Sequence, residues 1–356
     1  MTEAHTDPDL LYVGTYTEDS PSKGIYLVRM DRRSGELIQV GAADAGPNPS
    51  FVAIHPSGAT LYAVNELDHG TVTALAIDRA SGGLTKINSQ PSEGGAPCYI
   101  SVDRSGRVAL VANYGTGSVA LLPLQANGAL GSVAFVDKHT GTGPIADRQE
   151  GPHAHCILPD SSNRFALSAD LGADRVLIYH LDIESKSLPR IFGGAAVMRA
   201  GAGPRHIAFH PTLPLVFVSN ELDSTVATLH FDAARGMLTL RDTRATVPAT
   251  WSGTNYPADI HISASGHTVY VSNRGHNSIA VFSVAESTGA LALEQVVSTE
   301  GDWPRNFSLS PSGQWLLAAN QRSDSIVVFA REPESGRLTS TSQRIAIPSP
   351  VCLRFA

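Results

Sequence analysis

Pro204-Arg-His-Ile-Ala-Phe-His-Pro211, followed by Leu215-Val-Phe-Val-Ser-Asn220, is the stretch from which the rest of the chain is read. A proline opens a short apolar run, a polar turn follows, and a second apolar run closes on Asn. The same pattern returns in Pro49-Ser-Phe-Val-Ala-Ile-His-Pro-Ser-Gly58 with Leu61-Tyr-Ala-Val-Asn65, and in Pro304-Arg-Asn-Phe-Ser-Leu-Ser-Pro-Ser-Gly313 with Trp315-Leu-Leu-Ala-Ala-Asn320. Pro97, Pro152 and Pro257 open further copies that end at Asn113, Asp170 and Asn273, and Pro350-Val-Cys-Leu-Arg-Phe355 supplies a last opening run. The prolines are spaced by 46 to 55 residues, the length of a four-stranded propeller blade and longer than most solenoid repeats. Short, nearly continuous runs of Val, Ile, Leu, Phe and Tyr are what sheets buried on both faces require. No segment has a helical period.

The two ends complete each other. Leu11-Tyr-Val-Gly-Thr-Tyr16 and Gly24-Ile-Tyr-Leu-Val28 match the second and third runs of a unit that lacks its first, and Pro350–Phe355 is a first run with nothing after it. The chain is therefore expected to be an all-β, single-domain, seven-bladed propeller of four antiparallel strands per blade, its C-terminal strand completing the N-terminal blade and removing the open edges. The expected blades are approximately 8–45 with 344–356, then 46–95, 96–150, 151–200, 201–250, 251–300 and 301–343.

At 356 residues the chain needs no metal or disulfide for stability. A net charge of −7 without any Lys/Arg run argues against nucleic acid. The acidic start Met-Thr-Glu-Ala-His-Thr-Asp-Pro-Asp and the lack of a long apolar stretch predict an untargeted, cytoplasmic protein with no membrane partner. Cys98, Cys156 and Cys352, odd in number and without ligand spacing, read as reduced, packed thiols.

In a propeller the start of each first strand and the end of each second strand meet at one mouth of the central channel. Counting one residue past each proline gives Ser50, Cys98, His153, Arg205, Ala258, Arg305 and Val351; counting one past each closing residue gives Glu66, Tyr114, Leu171, Glu221, Arg274 and Gln321. His153, Arg205, Glu221 and Arg274 fall on neighbouring blades and offer a proton-transfer group, a carboxylate and two fixed cations, a set suited to an anionic ester. Arg305 and Gln321 belong to the same rims. His155 stands in a column of apolar residues and is read either as a second pocket residue or as a hydrogen-bonded core histidine. Two long loops, Asp137 to Glu150 and Ala249 to Tyr256, run into this mouth, where Trp251 and Tyr256 would wall a pocket and Arg148 would reach an anion. His153-Ala-His155 lacks a third ligand, so no metal is expected. The recurrent Asn residues are read as bonding backbone at each second-to-third-strand turn.

These residues resemble the propeller-type 6-phosphogluconolactonases of bacteria and the related fungal carboxymuconate cyclases. The resemblance spans nearly the whole chain and is carried by Leu11–Thr17, Gly151-Pro-His-Ala-His155, Gly203 to Leu222, Ala258-Asp-Ile-His261 and Val271-Ser-Asn-Arg-Gly-His276. It implies a catalytic His, two Arg and a Glu at His153, Arg205, Arg274 and Glu221. It further implies hydrolysis of 6-phosphoglucono-1,5-lactone in the pentose phosphate pathway, without a cofactor. The expected partner is a small anionic sugar lactone, the chain acting as a monomer or weak homodimer. The base is left among His153, His155 and Glu221. Muconate cyclisation, another lactone, or a non-enzymatic binding propeller are the alternatives.

Overall fold

The computed structural model describes residues 8–286 and 288–356. The acidic start, read above as untargeted, falls largely in 1–7, outside the described residues.

Seven four-stranded antiparallel sheets follow one another along the chain. The first is composite: Pro350–Phe355 pairs with Asp9–Thr15, then come Ile25–Met30 and Leu37–Ala43. Each first strand packs on the first strands of both neighbouring blades, all the way round, so the ring is closed. Blades are numbered here from this composite. In blade 5 the order outward is Pro204–Phe209, Leu215–Asn220, Thr225–Asp232 and Met237–Ala245.

Burial follows radius. The second strands Thr60–Asn65, Val108–Asn113, Phe165–Asp170 and Leu215–Asn220 are buried at every residue, which is why they read as unbroken apolar runs. The outermost strands face water on one side and are mostly exposed or half-buried. Neighbouring blades are tied by a repeated contact: the hydroxyls of Tyr12, Tyr62 and Tyr270 donate to the carbonyls of Gly82, Gly128 and Gly336 in the outer turn of the next blade.

Two details differ from expectation. The outer strand of blade 7 is Leu338–Ala346, so residues 344–346 belong to it and not to the composite blade. A bulge at Ser342, where φ is +65°, inserts extra residues opposite Val328 and lengthens the strand. The recurrent Asn side chains do bond backbone, but mostly on the crossover that enters their own blade. Asn65 donates to the Ala45 and Pro47 carbonyls, Asn113 to Ser92, Asn273 to Thr246 and Asn320 to Thr299. The crossover passes beside the strand end with unpaired carbonyls, and the amide satisfies them.

Candidate active site

Where the first strands begin, the ladder is interrupted. Register shifts lie between Pro97 and Tyr99, Ala154 and Cys156, Pro204 and His206, and Pro304 and Asn306. The residue skipped in each case is Cys98, His155, Arg205 and Arg305, and all four line voids at the mouth of the channel. A bulge frees one residue from the ladder and re-aims its side chain, so these four point at a common space.

This corrects the column read from the prolines. In blade 4 the residue facing Asp170 is Ala154, as Pro204 faces Asn220, so His155 and not His153 is the counterpart of Arg205. The cause is the exchange of Asn for Asp at the strand end. Asn donates to crossover carbonyls, whereas Asp170 accepts from the His153 and Ala173 amides and from His139 Nδ1. The crossover enters with the opposite polarity, two residues later than Pro152 suggests.

The mouth holds a cavity of about 160 Å³ lined by Glu66, Cys98, Tyr114, Arg148, His155, Glu221, Arg274 and Arg305. It brings together residues of blades 2 to 7. Larger clefts of about 470 and 360 Å³ lie between blades around the turns that follow the first strands. Ser, Gly and Ala dominate them and no ionisable cluster converges there, so the smaller cavity is the chemical site.

Glu221 is the hub. Arg148 Nη2 donates to its Oε1 at 2.5 Å, while Arg205 Nε and Arg274 Nη2 lie 2.9 and 2.6 Å from Oε2. The latter two N–H groups are not aligned on the oxygen, so these are charge contacts that leave buried donors unsatisfied. Burial pushes the Glu221 carboxyl up, but Arg274, Arg205 and Arg148 outweigh it and hold the group well below the usual carboxylate range. Seen from Arg274 the balance is reversed: burial, with Arg205 and Arg305 nearby, outweighs Glu221 and lowers the guanidinium to about 9. One carboxylate is shared among more cations than it neutralises. Arg305 has no ion pair or hydrogen bond among the described residues and lies 5.5 Å over the Tyr16 ring. Four guanidiniums therefore face two carboxylates, Glu221 and Glu66.

His155 is buried beside them. Cys98 Sγ lies 3.6 Å from its Nδ1 and within 3.8 Å of the Ala154 and His155 carbonyls. Carbonyls only accept, and the thiol proton is assigned to one of them. The sulfur then accepts from Nδ1–H, which leaves the Nε2 lone pair free; the tautomer is assigned from this network. Burial, Arg205, His206 and Arg305 all lower the imidazole well below its ordinary value.

His153 is not brought to the Glu221 cluster. Its ring stacks on Tyr114 at 4.4 Å, Nδ1 donates to the Tyr114 carbonyl, and Nε2 lies 3.2 Å from exposed Glu150. Tyr256 accepts from Arg274 Nε through its carbonyl, and its ring lies 5.7 Å from the Arg148 guanidinium. Trp251 is 40% exposed and meets His276 edge-on, and Gln321 opens a short 3₁₀ turn; neither lines the cavity. Among the described residues no three His, Cys, Asp or Glu side chains converge as a metal site. Beneath the cavity, Arg205 Nη1 donates to His206 Nε2, His206 Nδ1 donates to Asp259 Oδ1, and Asn306 and His261 donate to Asp259 Oδ2. His206 is accordingly held neutral, lowered to about 4 by burial and by Arg205. Glu66, Cys98 and Tyr114 were visible in the two columns but not assigned; Asn65-Glu-Leu67 repeats Asn220-Glu-Leu222 and was the signal for Glu66.

A closed propeller with a cation-rich mouth and a neutral histidine is suited to hydrolysing an anionic ester. The family described as lactonase, seven-bladed β-propeller, matches residues 10–355, and the chain belongs to it. The 6-phosphogluconolactonase of Bacillus subtilis is 38% identical over 345 residues, 97% of each chain, and that of Formosa agariphila is 33% identical over 344 residues, 95% of this chain and 96% of its own. The solved structure of a periplasmic gluconolactonase from Pseudomonas aeruginosa is 33% identical, with TM-score 0.92 over 98% of this chain and 99% of that one. The protein is a lactonase, a hydrolase of lactone esters. Among the described residues no helix is long and apolar enough to cross a membrane.

Proposed function

We propose that the protein hydrolyses a phosphorylated sugar lactone, 6-phospho-D-glucono-1,5-lactone, to 6-phosphogluconate, as a step of the pentose phosphate pathway. The observation that carries this reading is the excess of guanidinium over carboxylate around one small cavity. The relatives named 6-phosphogluconolactonase support it. A phosphate ester does not cross a membrane unaided, so this substrate implies a cytoplasmic protein.

His155 Nε2 takes a proton from water as its oxygen bonds to the lactone carbonyl carbon. Arg274, at the cavity wall, stabilises the oxyanion. The bond from that carbon to the ring oxygen then breaks, and the imidazolium returns the proton to the departing oxygen. Arg305, without a carboxylate partner, takes the phosphate, and Glu221 holds Arg148, Arg205 and Arg274 in place. Glu221 is a poor base because both oxygens are occupied by cations. Positioned acid–base help contributes about 10²–10⁴-fold and an oxyanion donor about 10²–10³-fold, enough for a labile lactone without a metal.

The test is turnover above the spontaneous rate of three substrates, read as acid release from the phosphorylated lactone and from glucono-1,5-lactone and as proton uptake with loss of the conjugated-diene absorbance from a carboxymuconate. Preference for the first supports the reading. Preference for glucono-1,5-lactone would move the substrate toward that of the Pseudomonas aeruginosa relative, and turnover of the muconate alone would make the site a cycloisomerase.

A further inference from the structure

Glu66 has no part in the chemistry described above, yet its carboxylate lines the cavity on blade 2, away from the Glu221 cluster. Two hydroxyls fix it. Tyr16 Oη donates at 2.9 Å and Ser50 Oγ at 2.5 Å, and both donate to the same oxygen, Oε2. Tyr16 follows the second strand of blade 1 and Ser50 precedes the first strand of blade 2, so the carboxylate is held from two blades. Oε1 has no hydrogen-bond partner among the described residues, and no Lys, Arg or His nitrogen lies within ion-pair distance of Glu66 there. It is not among the sealed, unpartnered buried atoms either, so it reaches open space.

We infer that Glu66 Oε1 accepts a hydrogen bond from a substrate hydroxyl and so makes the enzyme selective for polyhydroxylated lactones; this rests on the reading of the cavity as a lactone site. An ionised carboxylate accepts and never donates, so only a donor group satisfies it. It repels a carboxylate or phosphate placed against it, which leaves the substrate's anion to the guanidiniums. Arg305 lines the same wall, so a substrate whose phosphate it holds can present a neighbouring hydroxyl to Glu66. A lactone without hydroxyls leaves Glu66 desolvated and unpaired, and binding sites built around a substrate hydroxyl reject analogues that lack it. Tyr16 and Ser50 are positioning residues: they set which oxygen is presented.

The experiment is a substrate–mutant cycle. kcat/KM is measured for the wild type and Glu66→Gln on 6-phosphoglucono-1,5-lactone and on its monodeoxy analogues. The wild type is expected to lose about 10–100-fold on one deoxy analogue, a charged hydrogen bond's worth. Glu66→Gln should lose a similar factor on the parent lactone and be indifferent to that same deoxygenation. Equal discrimination by wild type and Glu66→Gln, or an unchanged rate on the parent, overturns the role of Glu66 while leaving lactone hydrolysis standing. A wild type that accelerates none of the lactones overturns both. Should Glu66→Gln fail to fold, Tyr16→Phe and Ser50→Ala enter the same cycle. Each should lose part of the discrimination, the ratio of kcat/KM on the parent lactone to that on the deoxy analogue falling toward one, and full retention of the ratio by both counts against the inference.

Discussion

The Nδ1 atom of His155 lies 3.6 Å from the sulfur of Cys98, on the neighbouring blade, and this contact sets which face of the imidazole is basic. With the thiol proton assigned to a backbone carbonyl as a donated hydrogen bond, the ring proton is assigned to Nδ1 and the lone pair to Nε2. The base proposed for the reaction, His155, is thus oriented by a residue two blades away from Glu221.

Replacing His155 by Gln should lower kcat by about 10²–10⁴-fold, the range for a lost general base. His153→Gln should change kcat by less than about 10-fold, because its ring rests on Tyr114 and faces Glu150. Steady-state rates of the two variants check the assignment, and a greater loss from His153→Gln would reverse it.

The pH dependence has a definite sign. The proposed mechanism needs His155 unprotonated, and burial together with Arg205, His206 and Arg305 lowers its proton affinity. The acid limb of kcat/KM should therefore fall well below the ordinary histidine value, with no loss of rate between pH 8 and 6.5. A limb centred near an unperturbed histidine in the free enzyme would argue for an exposed base.

Arg274→Lys should reduce kcat by about 10²–10³-fold with little change in KM, since a point charge does not replace a planar fork at an oxyanion. Arg305→Lys should instead raise KM, most for the phosphorylated substrate. Comparing the two variants on phosphorylated and unphosphorylated lactone separates oxyanion from anchor.

Glu221→Gln should destabilise the fold by about 3–5 kcal/mol, as removal of one partner leaves buried charge uncompensated. Denaturant titration measures it. The Glu221 carboxyl is depressed in the folded state, so its stabilisation is fully present above the unfolded carboxylate value and is lost as pH falls through the folded one. Wild-type stability should therefore decline on acidification below about pH 4.5, and the slope should be smaller in Glu221→Gln.

The seven blades were legible because each must bury both faces of its sheet, and that demand leaves an apolar run in every copy, opened by a proline and closed by Asn in five of the seven blades. Arg205, Glu221 and Arg274 were legible for the same reason, since strand direction alone brings them to one mouth. The exchange of His153 for His155 was not. Pro152 looks like the other opening prolines, and only the hydrogen bonds of Asp170 show that the strand starts two residues later. Nor do bulges leave a mark in an apolar run, although they aim Cys98, His155, Arg205 and Arg305. Glu66 was passed over because it stands alone on its side of the ring, despite repeating the Asn-Glu-Leu of blade 5.

The most direct measurement is a crystal structure of the protein with 6-phosphogluconate bound. The phosphate should lie against Arg305, the new carboxylate within reach of Arg274 and His155 Nε2, and a hydroxyl on Glu66. Electron density for the ligand in the clefts between blades on the other face, or at the mouth with its carboxylate beside His153 and remote from Arg274, would contradict the account.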